Sequence, residues 1–162
     1  MLTNNSYYPH ATLKLAIISL ITIATQLIIN SITSIYVDLL GIFLVILLVN
    51  QLANYQQLFI LAFLADIIGH WYLGTHLFSL ILISFITEKY YNFYKMSNIL
   101  QKNISIILFF SLFDGIVCLI GLISHNLKID MLGFAFEIVV FCPLFFFILT
   151  RFFKNSSSDF IY

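Results

Sequence analysis

The sequence predicts an all-α integral membrane protein in which six transmembrane helices form a single bundle. Of its 162 residues, 62% are hydrophobic and only 9% are charged, whereas a soluble domain carries about 25% charged residues. The few charges are separated by apolar stretches close to or longer than the roughly 20 residues that a helix needs to cross the hydrocarbon core. If each stretch crosses the membrane, most of the basic residues lie on the same side of it, which indicates an even number of crossings.

The charged residues delimit the individual spans. Long uncharged stretches follow Lys14, Asp38 and Asp66, and each of the two later apolar stretches contains a single acid. The third span is predicted to be short. From N- to C-terminus, the predicted spans are residues 14–32, 36–52, 56–69, 74–91, 103–124 and 132–152.

The apolar runs favour helices over strands. Residues 39–49 form one unbroken apolar run, whereas a strand of a membrane barrel would alternate apolar and polar residues. Because the spans are hydrophobic on all sides, we expect lipid to surround them.

The placement of the basic residues predicts the topology. With six spans, six of the seven basic residues share one side of the membrane, and only Lys128 lies opposite. Without the third span, Lys14 would lie opposite the later lysines. Since cytoplasmic loops carry the excess of lysine and arginine, we expect both termini in the cytoplasm. We also expect the first span to be an uncleaved helix and not a signal peptide, because no suitable cleavage site follows Lys14.

We predict one membrane domain at residues 14–154, between a polar N-terminal segment (1–13) and a polar tail (155–162). A formal net charge of zero excludes the basic patch needed for nucleic-acid binding. No common catalytic or phosphate-binding motif occurs, so we predict no enzyme, no catalytic residue, no cofactor and no metal. Cys118 and Cys142 lie within spans and are interpreted as packing residues.

Three acids fall inside predicted spans or at their ends: Asp66, Asp114 and Glu137. An acid at the bilayer centre costs about 2.5–3.5 kcal/mol, so it usually faces the protein interior or finds a partner. Asp114 lies in mid-span and is the best candidate for a buried role. Asp66 lies near the outer end of its span, where capping or snorkelling is the simpler interpretation, and Glu137 is intermediate. Asp38 lies at the start of the second span and is interpreted as an N-cap.

A turn is predicted at the outer interface between the third and fourth spans. Gly69 and Gly74 bracket aromatic residues that favour the headgroup level. His70 and His76 flank this turn, with Asp66 nearby. A metal site is one interpretation, but interfacial histidines bonded to backbone or headgroups are the preferred one.

Pro143 lies inside the sixth span, and its missing N–H predicts a kink there. Neighbouring helices can satisfy the carbonyl that such a kink frees in a membrane.

The stretch 63–76 resembles a segment of the rod shape-determining MreD family. In that family an apolar run ends in aspartate, a glycine-containing turn follows, and a Leu-Gly pair comes seven and eight residues after the aspartate. Leu73 and Gly74 stand at those offsets from Asp66. Asp114 is similar to a second acid found in some members.

The C-terminal stretch 142–151 also resembles the family, because Pro143 lies in an aromatic and aliphatic helix that leads to a basic terminus. The chain departs from the family pattern at Gly69, which is one residue early. It also lacks the prolines usual near positions 37 and 54.

The resemblance implies a fold similar to the six-helix substrate-binding subunits of energy-coupling-factor transporters. It implies a non-enzymatic component of the bacterial inner membrane that helps maintain rod shape. Members associate with MreC, and through it with MreB, RodA and the elongation transpeptidase, and regulate or position lateral peptidoglycan synthesis. The residues of interest are the motif and intramembrane polar candidates Asp66, Gly74, His76, Asp114, Glu137 and Pro143.

The fold similarity also supplies an alternative, a vitamin-binding subunit of such a transporter. Those subunits commonly carry small residues at Ala-x-x-x-Ala spacing on the first helix, and Ala16 and Ala24 do not have that spacing. A small membrane enzyme acting on lipids is disfavoured because catalytic motifs are lacking.

Overall fold

The computed structural model describes residues 9–33, 36–69, 71–123 and 131–154. These residues form helices and their connections, with no strand among them. The first five helices are α1 (Pro9–Ile32), α2 (Leu39–Val49), α3 (Tyr55–Ile68), α4 (Thr75–Met96) and α5 (Ile99–Ile123). The sixth segment consists of α6 (Met131–Phe136), a π-helical turn (Glu137–Phe141) and α7 (Cys142–Lys154).

The predicted all-helical class and the six helical segments are confirmed. Three of the segments are long and apolar enough to cross a membrane, at Leu13–Ile32, Ile99–Ile123 and Leu132–Arg151. The third helix is short, as predicted, with 14 residues. The second is shorter still: α2 has 11 residues, which corresponds to about 16 Å of helix. The predicted span 36–52 therefore overestimates this helix at both ends.

Helix α2 is the centre of the molecule. All 11 of its residues are buried, and it contacts α1, α3, α4, α5, the π-helical turn and α7. Its uniform hydrophobicity therefore matches a protein interior, and the expectation that lipid surrounds every span is wrong for α2. A helix that is apolar on all sides fits either environment, so the pattern alone could not separate them.

Successive helices run in opposite directions, so the bundle has two distinct ends. At one end the Tyr94 hydroxyl near the end of α4 donates to Asn50 Oδ1 after α2, at 2.9 Å. The Lys102 ammonium at the start of α5 lies 5.5 Å from the centre of the Tyr94 ring. We call this the basic end, because it carries the basic residues of α1, α4, α5 and α7, whereas Lys128 lies outside the described residues.

The sixth segment is irregular next to Pro143. The proline is the second residue of α7, and the π-helical turn ends directly before that helix. The Cys142 N–H donates to the Glu137 carbonyl, five residues back. The irregularity that directly precedes Pro143 is thus a π-helical turn, a feature that is frequent at functional sites.

Candidate functional site: a buried Asp–His–Asp cluster

His76 is the centre of a buried polar cluster at the end of the bundle opposite the basic end. Its side chain is fully buried. The ring Nδ1 lies 2.7 Å from Asp66 Oδ1, and Nε2 lies 2.8 Å from Asp38 Oδ2. An imidazole donates from both nitrogens only when it is protonated. The geometry therefore fits an imidazolium held between two carboxylates. We call Asp38, Asp66, His76 and Glu137 the buried cluster.

Asp66 joins the end of α3 to the start of α4. Besides the imidazole, it accepts the backbone N–H groups of Gly74 at 2.6 Å and His76 at 3.0 Å. A carboxylate at a helix N-terminus satisfies free N–H groups and complements the helix dipole. Although Asp66 belongs to another helix, it performs this role for α4. It is completely buried, so snorkelling is excluded.

Asp38 does the same for α2 and also reaches His76. Its Oδ1 accepts the Gly41 N–H at 3.0 Å, which confirms the predicted N-cap. Gly41 makes room for this carboxylate, because a Cβ at that position would overlap the Asp38 side chain and lie 3.1 Å from the Phe113 ring. One residue thus caps the central helix and holds the imidazole.

Glu137 attaches the sixth segment to the cluster. It is 3% exposed, and its Oε1 accepts the backbone N–H of Asp38. Residues 99 positions apart in sequence are thereby joined. Since Glu137 begins the π-helical turn, the irregular part of the sixth segment faces the N-terminus of α2.

Aromatic rings enclose His76. The centre of the Trp71 ring lies 6.2 Å from that of His76, and the Phe113 ring lies 5.7 Å away on another side. The Trp71 indole N–H donates to the Tyr36 hydroxyl at 3.0 Å. The half-buried Trp71 therefore covers the cluster.

Helix α1 holds the connection that leads to Asp38. Asn30 bonds both backbone groups of Val37, accepting its N–H at 3.0 Å and donating to its carbonyl at 3.2 Å. Gln26 Oε1 accepts the Leu40 N–H at 2.8 Å. These side-chain amides of α1 hold the start of α2 in position, although neither of them belongs to the buried cluster.

The structure brings together four of the six sequence candidates: Asp66, Gly74, His76 and Glu137. Asp38, which was predicted only as a cap, completes the set. The sequence feature that predicted the cap was the position of this acid directly before an apolar run. The sequence did not indicate that Asp38 would also have a histidine partner.

Two further predictions need correction. Asp114 was the preferred buried acid, yet it is only partly buried, and its Oδ2 lies 3.6 Å from Cys118 Sγ in its own helix. His76 was expected at the interface, yet it is buried between carboxylates. Depth along a span does not reveal which face of the helix points inward when all faces are apolar.

The metal interpretation involved His70, His76 and Asp66. His70 lies outside the described residues. Within the ranges that the structure describes, no group of three or more histidine, cysteine or acidic side chains has a metal-binding arrangement. Both nitrogens of His76 instead face carboxylates.

Comparisons of the chain with protein-family models, with curated proteins and with solved structures found no match.

Proposed function

We propose that this chain is an MreD-like, non-enzymatic component of the bacterial rod complex. In this proposal it lies in the inner membrane, associates with MreC, and through MreC with MreB, RodA and the elongation transpeptidase. It helps to maintain rod shape by regulating or positioning lateral peptidoglycan synthesis. We also propose that its bundle shares the fold of the energy-coupling-factor substrate-binding subunits.

The observation that carries the proposal is the hydrogen bond from the Gly74 N–H to Asp66 at 2.6 Å. These two residues are the acid and the glycine of the motif that resembles the family. Gly74 has a φ of 97°, a conformation that glycine adopts without the strain of a Cβ. The eight-residue spacing therefore has a physical reason: the acid caps the helix that begins after the glycine.

The arrangement of the buried cluster favours a scaffold over an enzyme. The described contacts of Asp38 and Asp66 are with the imidazole and with backbone N–H groups at the starts of α2 and α4. Together with the hydrogen bond from the Asp38 N–H to Glu137, these contacts join four helical segments at one end of the bundle. This is how a polar network fixes a unique packing.

The distribution of basic residues supports the proposed orientation, with both termini in the cytoplasm. The buried cluster then lies toward the outer face of the membrane. The cavity described below opens at the basic end, whereas a vitamin-binding subunit would need an outward-facing pocket. We therefore favour the scaffold function.

Depletion of the chain in the bacterium that encodes it tests this proposal. We expect rods to widen and become round as the protein is lost, and we expect the wild-type chain supplied in trans to restore them. Cells that keep their rod shape after complete depletion would contradict the proposed function.

A further inference from the structure

A polar cavity of about 650 Å³ lies at the basic end of the bundle. Its wall is formed by the end of α2, the connection 50–54, the start of α3 and the second half of α4. This volume lies within the range of about 300–1,000 Å³ that is typical of ligand pockets. The cavity is separate from the buried cluster, which occupies the opposite end.

Two hydroxyl groups in the wall of this cavity are placed to accept hydrogen bonds. The Ser84 hydroxyl donates to the Ile81 carbonyl at 2.7 Å, and the Thr87 hydroxyl donates to the Ser84 carbonyl at 3.0 Å. Because each hydroxyl proton is already used, each oxygen presents only lone pairs to a ligand. The exposed residue Glu88 also lines the cavity, and its carboxylate has no ion-pair partner among the described residues.

The charge and the aromatic content of the wall also favour a cation. Glu88 is the one charged residue among the described residues of the lining, which include no lysine or arginine. Tyr55 and Tyr91 add aromatic faces, to which a cation is attracted. A lipid headgroup would bring a phosphate, for which this wall offers no cationic partner.

The wall contains a strained residue. Gln51 has a φ of 52°, and it is the one non-glycine residue with positive φ in the described part of the chain. Backbone strain of this kind concentrates at functional sites. At this position it shapes the rim of the cavity.

We propose that this cavity binds the arginine side chain of a partner protein's basic segment. A guanidinium can pair with the Glu88 carboxylate in a bidentate geometry and stack on a tyrosine ring. The Ser84 and Thr87 oxygens can accept its remaining N–H groups. This site does not depend on the proposed function, because its chemistry follows from the wall alone.

The test is a ligand-observed NMR titration of the full-length protein in maltoside micelles, which carry neither charge nor an ammonium group. The probe is N-acetylarginine amide, and N-acetylcitrulline amide is the neutral control of nearly the same shape. We expect saturable binding of the arginine compound only. Glu88→Gln should weaken it about fivefold or more, and Thr87→Val should weaken it to a smaller extent.

Asp114→Asn, which lies outside the lining of the cavity, is the matched control and should bind as the wild type does. The thermal unfolding of each variant confirms that it is folded. Equal binding of the two compounds, an unchanged affinity of folded Glu88→Gln, or no binding to the wild type would overturn the proposal. Loss of arginine binding on addition of phosphatidylethanolamine would assign the cavity to a lipid headgroup and would overturn it as well.

Discussion

At the scale of residues, the molecule depends on a histidine that satisfies two buried acids. Both Asp38 and Asp66 contact the ring of His76, at 2.8 and 2.7 Å. Removing one partner from a buried charged set leaves the others uncompensated, and this usually costs more than the intact set contributes. The stability of the end that holds the buried cluster should therefore depend more on His76 than on other polar residues of the spans.

His76→Leu tests this dependence. We expect it to lower the free energy of unfolding by about 3–5 kcal/mol, because two carboxylates would remain buried without their cation. Asp114→Asn is the control, and we expect it to change stability by less than about 1 kcal/mol, since Asp114 is only partly buried and lies outside the cluster. Thermal or denaturant unfolding in detergent measures both. Equal effects of the two substitutions would contradict the account.

Gly74 provides a second prediction at this scale. Its φ of 97° disfavours any L side chain, but among the described residues no atom other than those of its chain neighbours lies within 4 Å of the position of an added Cβ. The cost of substitution should therefore be conformational, about 1–2 kcal/mol. We expect Gly74→Ala and Gly74→Leu to lower stability and folded yield to a similar degree, and Gly74→Asn to be milder. A much larger loss for leucine than for alanine would show that crowding, not φ, is limiting.

At the scale of elements, α2 was the helix least predictable from sequence. Its apolar run correctly predicted a helix, and Asp38 was correctly predicted as its N-cap, although the predicted span began before it. Its central place depends on five other segments that pack around it, and no local pattern encodes that. The same holds for the buried cluster, since its members come from four segments that meet only in the folded bundle.

Gly41 tests the packing at the start of α2. Gly41→Ala would push a methyl group into the Asp38 carboxylate and against Phe113, so we expect a loss of about 1–3 kcal/mol. Gly115→Ala in α5 is the matched control, because its added Cβ has no described atom within 4 Å apart from its chain neighbours and the nearby backbone of its own helix. That substitution should be neutral or stabilise by up to about 1 kcal/mol. The difference between the two unfolding free energies is the measurement, and similar values would contradict the described packing.

At the scale of the whole molecule, the positions of charge predicted the number of helical segments. Long apolar gaps between charges are visible in any sequence of this kind, so the helix count follows from composition and spacing. The separation of a basic end from an acid-rich end follows in the same way from the alternating direction of the helices. The contacts inside each end could not be predicted, since they depend on helix rotation.

The proposed orientation predicts the results of reporter fusions. A reporter that is active only in the periplasm should be inactive when fused after Tyr162, and it should be active when inserted at residues 124–130. A reporter that is active only in the cytoplasm, placed at the same two positions, is the control. It should be active after Tyr162 and inactive at residues 124–130. Periplasmic activity after Tyr162 would refute the even number of crossings.

Association with an MreC-like protein is the most direct test of the central claim, that this bundle acts as a scaffold in the rod complex. The measurement is co-purification of the detergent-solubilised, affinity-tagged chain with MreC from the bacterium that encodes both, quantified against an unrelated six-helix membrane protein. The account predicts that MreC is enriched with the wild type and lost with the destabilised His76→Leu variant. Recovery of MreC no greater than with the unrelated protein would contradict the account.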